Sequence, residues 1–218
     1  MKKLLFCSLT LFFLFCGTNA LAVPYGFVDI DGDIVAPDIY DNFSLEVTDN
    51  GGGTVGFTVS NVGPDASFIA GVYWDFPEIG NLITIPDDGA FQLDPTVDVN
   101  FSDKKLKVLP QGTEIGFTAD YSALANKPGS GRQGIDAGES ATFLFNIATG
   151  SDFDAVIAAL ESGTLRVAIK VQGIGEDDES DSYLASTKPV PESATMLLLG
   201  AGLIGIAGLG RNKLFKKK

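Results

Sequence analysis

The chain has 218 residues, with 15 Lys and Arg against 28 Asp and Glu, a formal net charge of −13, no His and two Cys. Without His, neither Ser-His-Asp nor Cys-His nucleophiles can be assembled, nor can His-ligated zinc, copper or iron sites, and the acidic balance opposes binding to nucleic acid. A phosphate loop is excluded as well, because Gly51-Gly52-Gly53 has no Lys after it and no strand-to-helix context.

Met1-Lys2-Lys3 is a short basic start, Leu4 to Phe15 is a twelve-residue, largely apolar run, and Ala20-Leu21-Ala22 sets small residues at the −3 and −1 positions of a signal-peptidase cut. Residues 1–22 are therefore expected to form an export signal, helical while it is attached, with the mature chain starting near Val23. Cys7 and Cys16 fall inside that signal, and bulky Phe15 ahead of Cys16 argues against lipidation. The exported part then has no thiol and no disulfide, so packing alone must stabilise it. All 28 acids lie between Val23 and Glu192 with only eight Lys and Arg among them, which makes this part −20. Such a surface favours solubility, cations, or a polymer that is neutral or cationic.

Asp29-Ile30-Asp31-Gly32-Asp33 places carboxylates at alternate positions, as a calcium loop does, and Asp29, Asp31 and Asp33 are the candidate metal ligands. Ile34 and Tyr40 stand where an EF-hand-type loop has Gly and a bidentate acid, so a surface turn is the competing reading and no other cofactor is expected. Asn42 to Thr48 alternates polar and apolar residues, Asp49 to Gly53 breaks the pattern, and Val55 to Val59 resumes it, which predicts a hairpin. Ser67 to Phe76 reads as an aromatic-rich strand in which Tyr73 and Trp74 point to opposite faces. Trp74 is thereby a candidate exposed platform for stacking a sugar, with core packing as the alternative.

Further strands are expected over Thr96 to Ser102, with Val97, Val99 and Phe101 inward, and over Glu114 to Tyr121, with Ile115, Phe117, Ala119 and Tyr121 on one face. Ala141 to Ala148 turns Phe143, Phe145 and Ile147 inward. Thr164 to Gly173 sets Leu165, Val167, Ile169 and Val171 against Arg166, Lys170 and Gln172. Between the last two, Ser151-Asp152 can cap a short helix near 152–161 whose Phe153, Val156, Ile157 and Leu160 share a face and which Gly163 ends. Strands with one wet face, packed in pairs, predict a mainly β domain over 23–184: an antiparallel β-sandwich of about 8–10 strands with that single helix.

Glu176-Asp177-Asp178-Glu179-Ser180-Asp181 is expected to interrupt or end the last strand, and residues 185–193 to form a stalk. Ala194 to Gly210 carries no charge over 17 residues. As a helix it would reach about 25 Å, the short end of what crosses a hydrocarbon core of about 30 Å. The tail at 211–218 follows, and Arg211, Lys213, Lys216, Lys217 and Lys218 would hold it on the cytoplasmic side.

These last thirty residues resemble a known class. Val190-Pro191-Glu192-Ser193, Thr195-Met196-Leu197-Leu198-Leu199-Gly200, a Gly-rich apolar helix and a basic tail look like the PEP-CTERM sorting signal of bacterial envelope proteins, with Ser193 where Pro is commoner. The resemblance implies processing near Pro191-Glu192 by an exosortase, an integral-membrane cysteine transpeptidase, and transfer to the cell surface or beyond. A looser likeness runs through Thr54 to Pro64, Phe68 to Phe76, Gly138-Glu139-Ser140 and Gly163 to Gly173. These segments resemble an exported domain type found with such signals, which implies a β fold and no assigned chemistry.

Three functions follow as expectations. The first is a non-enzymatic envelope or extracellular-matrix protein, handled by signal peptidase and exosortase, membrane-held through its C-terminal helix before processing. The second is a carbohydrate-binding or adhesive module of the exopolysaccharide layer, using Trp74 and calcium. The third is a glycan hydrolase built on two carboxylates about 5 to 9.5 Å apart.

Overall fold

In the computed structural model, residues 21–30, 32, 39–64, 67–76, 82–86, 92–93, 99–103, 108–126, 133–175 and 178–189 are described. The expected export helix, the Ala194 to Gly210 span and the basic tail lie outside them. Among the described residues eleven strands form: β1 (Ala22–Asp29), β2 (Phe43–Gly51), β3 (Thr54–Asn61), β4 (Phe68–Asp75), β5 (Ile83–Thr84), β6 (Gln92–Leu93), β7 (Phe101–Asp103), β8 (Tyr121–Ala125), β9 (Glu139–Ile147), β10 (Arg166–Ile174) and β11 (Glu179–Pro189). An α-helix, α1 (Phe153–Ser162), joins β9 to β10.

Every strand pairing is antiparallel. The ladder runs β5-β9-β3-β2-β1-β11-β10-β4-β8-β7, with β6 also on β9. Two separate sheets were expected; one curled sheet replaces them. Trp74 on β4 meets Phe57 on β3 at 6.1 Å between ring centroids and Phe145 on β9 at 5.0 Å, although β4 and β3 stand five ladder steps apart. Phe101 on β7 reaches Phe143 on β9 at 5.4 Å, so the two ends of the sheet close over the same core. Face-to-face packing of alternating strands is thus satisfied as in a sandwich, while hydrogen bonding continues around the bend.

Local chemistry accounts for the elements. Gly51, Gly52 and Gly53 all take positive φ, 73°, 63° and 79°, a run that only glycine adopts at little cost, and Asp49 Oδ1 accepts the Gly51 N–H at 2.8 Å. That turn sets the β2-β3 register, Phe43, Leu45 and Val47 facing inward with Val55, Phe57 and Val59. In α1, Asp152 Oδ1 accepts the Ala155 N–H at 3.0 Å and Gly163 ends the helix at φ 73°. Its Phe153, Val156, Ala159 and Leu160 are buried in the main core.

Three strand expectations need correction. In the segment at Thr96 to Ser102, residues 96–98 lie outside the described residues, Val99 and Asn100 are not in a strand, and Phe101 and Ser102 belong to β7, with Val99 and Phe101 buried. Glu114 to Tyr121 is not a strand: Gly112–Ile115 is a 3-10 turn, Gly116 follows at φ 61°, and the strand begins at Tyr121. There the carbonyls of Ile115 and Gly116 accept from Arg166, and the Thr118 N–H donates to Asp75, so side chains satisfy the groups a ladder would need. Finally, β10 ends at Ile174 ahead of the acidic run, as expected, but Glu179 to Asp181 already belong to β11, which continues to Pro189 on β1. The boundary set at 184 falls inside that strand, and residues 185–189 belong to the sheet rather than to a stalk.

Candidate functional site

Most of the residues singled out from sequence lie outside the described residues. Val190, Pro191, Glu192, Ser193, Ala20, Arg211, Lys213, Lys216, Lys217 and Lys218 lie outside the described residues, as do Asp31 and Asp33. Ala22 is the first residue of β1, and Asp29 is the last, opposite Tyr183 on β11. Among the described residues no three His, Cys, Asp or Glu side chains gather as a metal group would, and no helix is long and apolar enough to cross a membrane.

Trp74 is corrected outright. It is 0% exposed, inside a cage of Phe57, Phe143 and Phe145, so it cannot offer a face to a sugar. The core-packing alternative holds for Trp74, and Tyr73 is buried as well.

What hides Tyr73 is the non-strand segment 108–119, lying on the outer face of β4, β8 and β10. Leu109, Phe117 and Ala119 from that segment pack with Tyr73 and Ala168 into a second, smaller core. One ion pair fastens it. Asp75, at the end of β4, binds Arg166 at the start of β10 and accepts the Thr118 N–H at 3.1 Å on the same oxygen. Arg166 then donates to Ile115 O at 2.9 Å and Gly116 O at 2.8 Å, with its guanidinium 5.2 Å from the Phe117 ring centroid. A planar, fixed fork of donors is what lets one side chain hold a carboxylate and two carbonyls at once.

A depression of about 240 Å³ opens on β4, β8 and β10. Tyr73, Lys170 and Gln172 bring polar groups to it, and Ala70, Pro110, Leu124 and Ala125 complete the lining. It exists because of a β-bulge. Lys170 pairs with Gly71 and Val171 with Ile69, so Ala70 is an extra residue on β4, and two residues with almost no side chain fall side by side. A Cβ on Gly71 would stand 2.8 Å from Leu124 Cδ2, 3.0 Å from Tyr73 Cε2 and 3.1 Å from Tyr73 Oη. Tyr73 therefore lies back along its own strand close over Gly71, and a side chain at 71 would require Leu124 and Tyr73 to shift. Burial raises the Tyr73 phenol above the ordinary tyrosine range, which keeps it a neutral hydrogen-bonding group at physiological pH.

None of the pocket residues stood out in sequence as a site. Their signals are faint: Ala70-Gly71 interrupting an aromatic strand, and Lys170 and Gln172 two apart on the outward face of β10. Comparison with family models, with curated proteins and with solved structures returns no match to this chain.

Proposed function

We propose that the chain is a non-enzymatic protein of the bacterial envelope or extracellular matrix. It is exported by residues 1–22, held in the membrane by residues 194–210, and passed by an exosortase from the Val190-Pro191-Glu192-Ser193 motif to the surface. One observation carries this reading. The sheet begins at Ala22 and ends at Pro189, and Tyr25 pairs with Pro189 across β1 and β11. Both targeting segments therefore leave from the same rim, on neighbouring strands. A cut after Ala22 removes only the first residue of β1, and a cut beyond Pro189 removes none of β11. The ends can be processed without dismantling the fold.

The composition supports the non-enzymatic part, since an exported region without His or Cys leaves carboxylates as its main catalytic option, and of the buried ones Asp75 fastens a loop and Asp181 accepts the Ser182 N–H. The acidic surface suits a soluble protein within an exopolysaccharide matrix. The sugar-platform version of the alternative rested on Trp74 and loses its aromatic group to the core.

Intact-mass measurement on the protein recovered from the cell surface tests the reading: the expected species starts near Val23 and ends near Glu192. Recovery of surface protein that retains Lys218 would overturn it. Glu192→Ala is expected to leave uncut protein in the membrane, and unchanged processing in that variant would indicate a plain anchor.

A further inference from the structure

The outward face of β2, β3 and β9 carries a pattern that the core does not require. Where the side chains of these strands alternate, Phe43, Phe57 and Phe143 and their neighbours go inward, and the residues between them go out. The register aligns the outward ones in rows. Ser44, Ser60 and Ser140 form one row, and Glu46, Thr58 and Thr142 form the next. A third runs from Thr48 over Gly56 to Leu144. Six of these nine positions are Ser or Thr and one is charged, in a chain whose exported part holds 28 acids. All but Gly56 keep some solvent exposure, and among the described residues none of the nine joins either apolar core.

Strand propensity accounts for the Thr residues and not for three Ser in one row. Solubility would be served by charged side chains, of which this face has only Glu46. What the rows do supply is regular spacing: neighbouring strands stand about 4.8 Å apart and alternate residues along a strand about 6.8 Å, so hydroxyls recur on a grid of those dimensions. Thr58 Oγ1 and Thr142 Oγ1 lie 2.8 Å apart, one donating to the other. A hydroxyl has one proton and two lone pairs, so the pair keeps the capacity to donate and to accept outward. Relief is low as well. Gly26 and Pro24 of β1 continue the first two rows, and the Asn50 amide nitrogen stands 2.9 Å from where a Cβ on Gly56 would be.

Uncharged groups that both donate and accept match a partner of the same kind, a neutral polymer bearing hydroxyls. These rows contain no aromatic side chain, so stacking adds nothing, and each hydrogen bond exchanged with water contributes little alone. Affinity must then come from repetition along an extended chain rather than from one sugar ring. The charge of the exported part repels acidic polymers at long range and leaves neutral ones unaffected.

We propose that the outward face of β2, β3 and β9 docks an extended neutral polysaccharide, the serine row and the Thr58–Thr142 pair forming the contact. The proposal rests on the export reading for where protein and polymer meet. The sheet holds this face whether or not the chain ends are cut, so loss of binding and loss of processing are separate results.

Affinity electrophoresis of the purified full-length chain, through native gels containing hydroxyethyl cellulose, dextran or, as the acidic control, alginate, tests this. Retardation by at least one neutral polymer is expected, half-saturating at about 1 mM sugar units or below, unchanged by added salt and absent with alginate. Thr58→Val combined with Thr142→Val removes both hydroxyls while keeping shape and strand preference, so the melting temperature should hold while affinity falls about tenfold. Ser60→Lys stands a long side chain across the serine row and is expected to abolish retardation, which leaves a second variant to decide if the first folds poorly. No retardation by either neutral polymer, equal retardation by alginate, or unchanged affinity in both folded variants would overturn the proposal. Sedimentation velocity without polymer covers the other occupant: a dimer that both variants dissociate would assign the face to a second copy of the chain and overturn it too.

Discussion

Tyr73 and Trp74 are chain neighbours, both buried, and hidden by different means. Trp74 is enclosed because the sheet curls until β3 and β9 face β4, so its cover is made of many aromatic and aliphatic side chains from distant strands. Tyr73 is enclosed because a non-strand segment lies over it, and one ion pair fastens that segment. The inner face rests on area, and the outer face on a few directed bonds. Apolar burial at about 25 cal/mol per Å² spreads stability over dozens of contacts, whereas a carboxylate–guanidinium clasp concentrates it in two residues.

The sharpest way to break this comparison is to place the same charge on the two faces of β10. Ile169 is 0% exposed in the main core, and Lys170 next to it lines the outer depression. Ile169→Asp buries a carboxylate with no partner and is expected to cost about 4 kcal/mol or more. Lys170→Asp is expected to cost far less. Thermal melts of the two variants decide it, and equal shifts would mean that the faces of β10 are assigned the wrong way round.

Next in size is the clasp itself. Asp75→Ala leaves the Arg166 guanidinium, only 19% exposed, without its carboxylate. The expected loss is about 3 kcal/mol, because an unpaired charge remains where a pair was. Pairing the change with Arg166→Met should recover part of that loss. Hydrogen exchange locates the effect: the Thr118 amide, which donates to Asp75, should exchange faster in Asp75→Ala while the amides of β3 keep their protection. Uniform loss of protection across both regions would show that the outer segment is not a separately fastened unit.

Much of the inner face was legible in sequence, for physical reasons. Phe43, Leu45 and Val47, then Val55, Phe57 and Val59, alternate because one face of each strand meets the core, and the glycine run between them allows only a turn. The helix was equally legible, since Asp152 and Gly163 are local signals that need no tertiary knowledge. The outer face was not. Glu114 to Tyr121 alternates as a strand does, yet its backbone bonds to Asp75 and Arg166, residues 43 and 51 positions away from Thr118 and Ile115. Period-two patterning marks which side chains are buried without saying what covers them, and here Phe117 and Ala119 are buried against Tyr73 from outside the sheet. The pocket was invisible for a related reason: it depends on a bulge at Ala70, a register event between two strands almost 100 residues apart.

The smallest expected effect at neutral pH separates the faces by titration. Tyr25, on β1, is 1% exposed in the main core, and its hydroxyl has no hydrogen-bond partner. Burial first, and the negative charge of Glu161 second, push its phenol up from 10.0 to about 12. At pH 7 the phenol is neutral folded or unfolded, so Tyr25→Phe removes only an unsatisfied buried hydroxyl and is expected to be neutral or slightly stabilising. Above pH 10 the unfolded chain releases a proton that the folded chain retains until about pH 12, so the unfolded state binds fewer protons and stability falls as pH rises through that window. Tyr73 is shifted in the same direction by burial on the outer face, so wild-type stability carries an alkaline slope from both sides of the sheet. Urea unfolding from pH 9 to 12 should therefore show a shallower decline in Tyr25→Phe, the remaining decline reduced again on adding Tyr73→Phe. If Tyr25→Phe leaves the slope unchanged while Tyr73→Phe alone flattens it, the inner face is open to solvent at Tyr25 and the contrast between a dry core and a fastened outer layer fails.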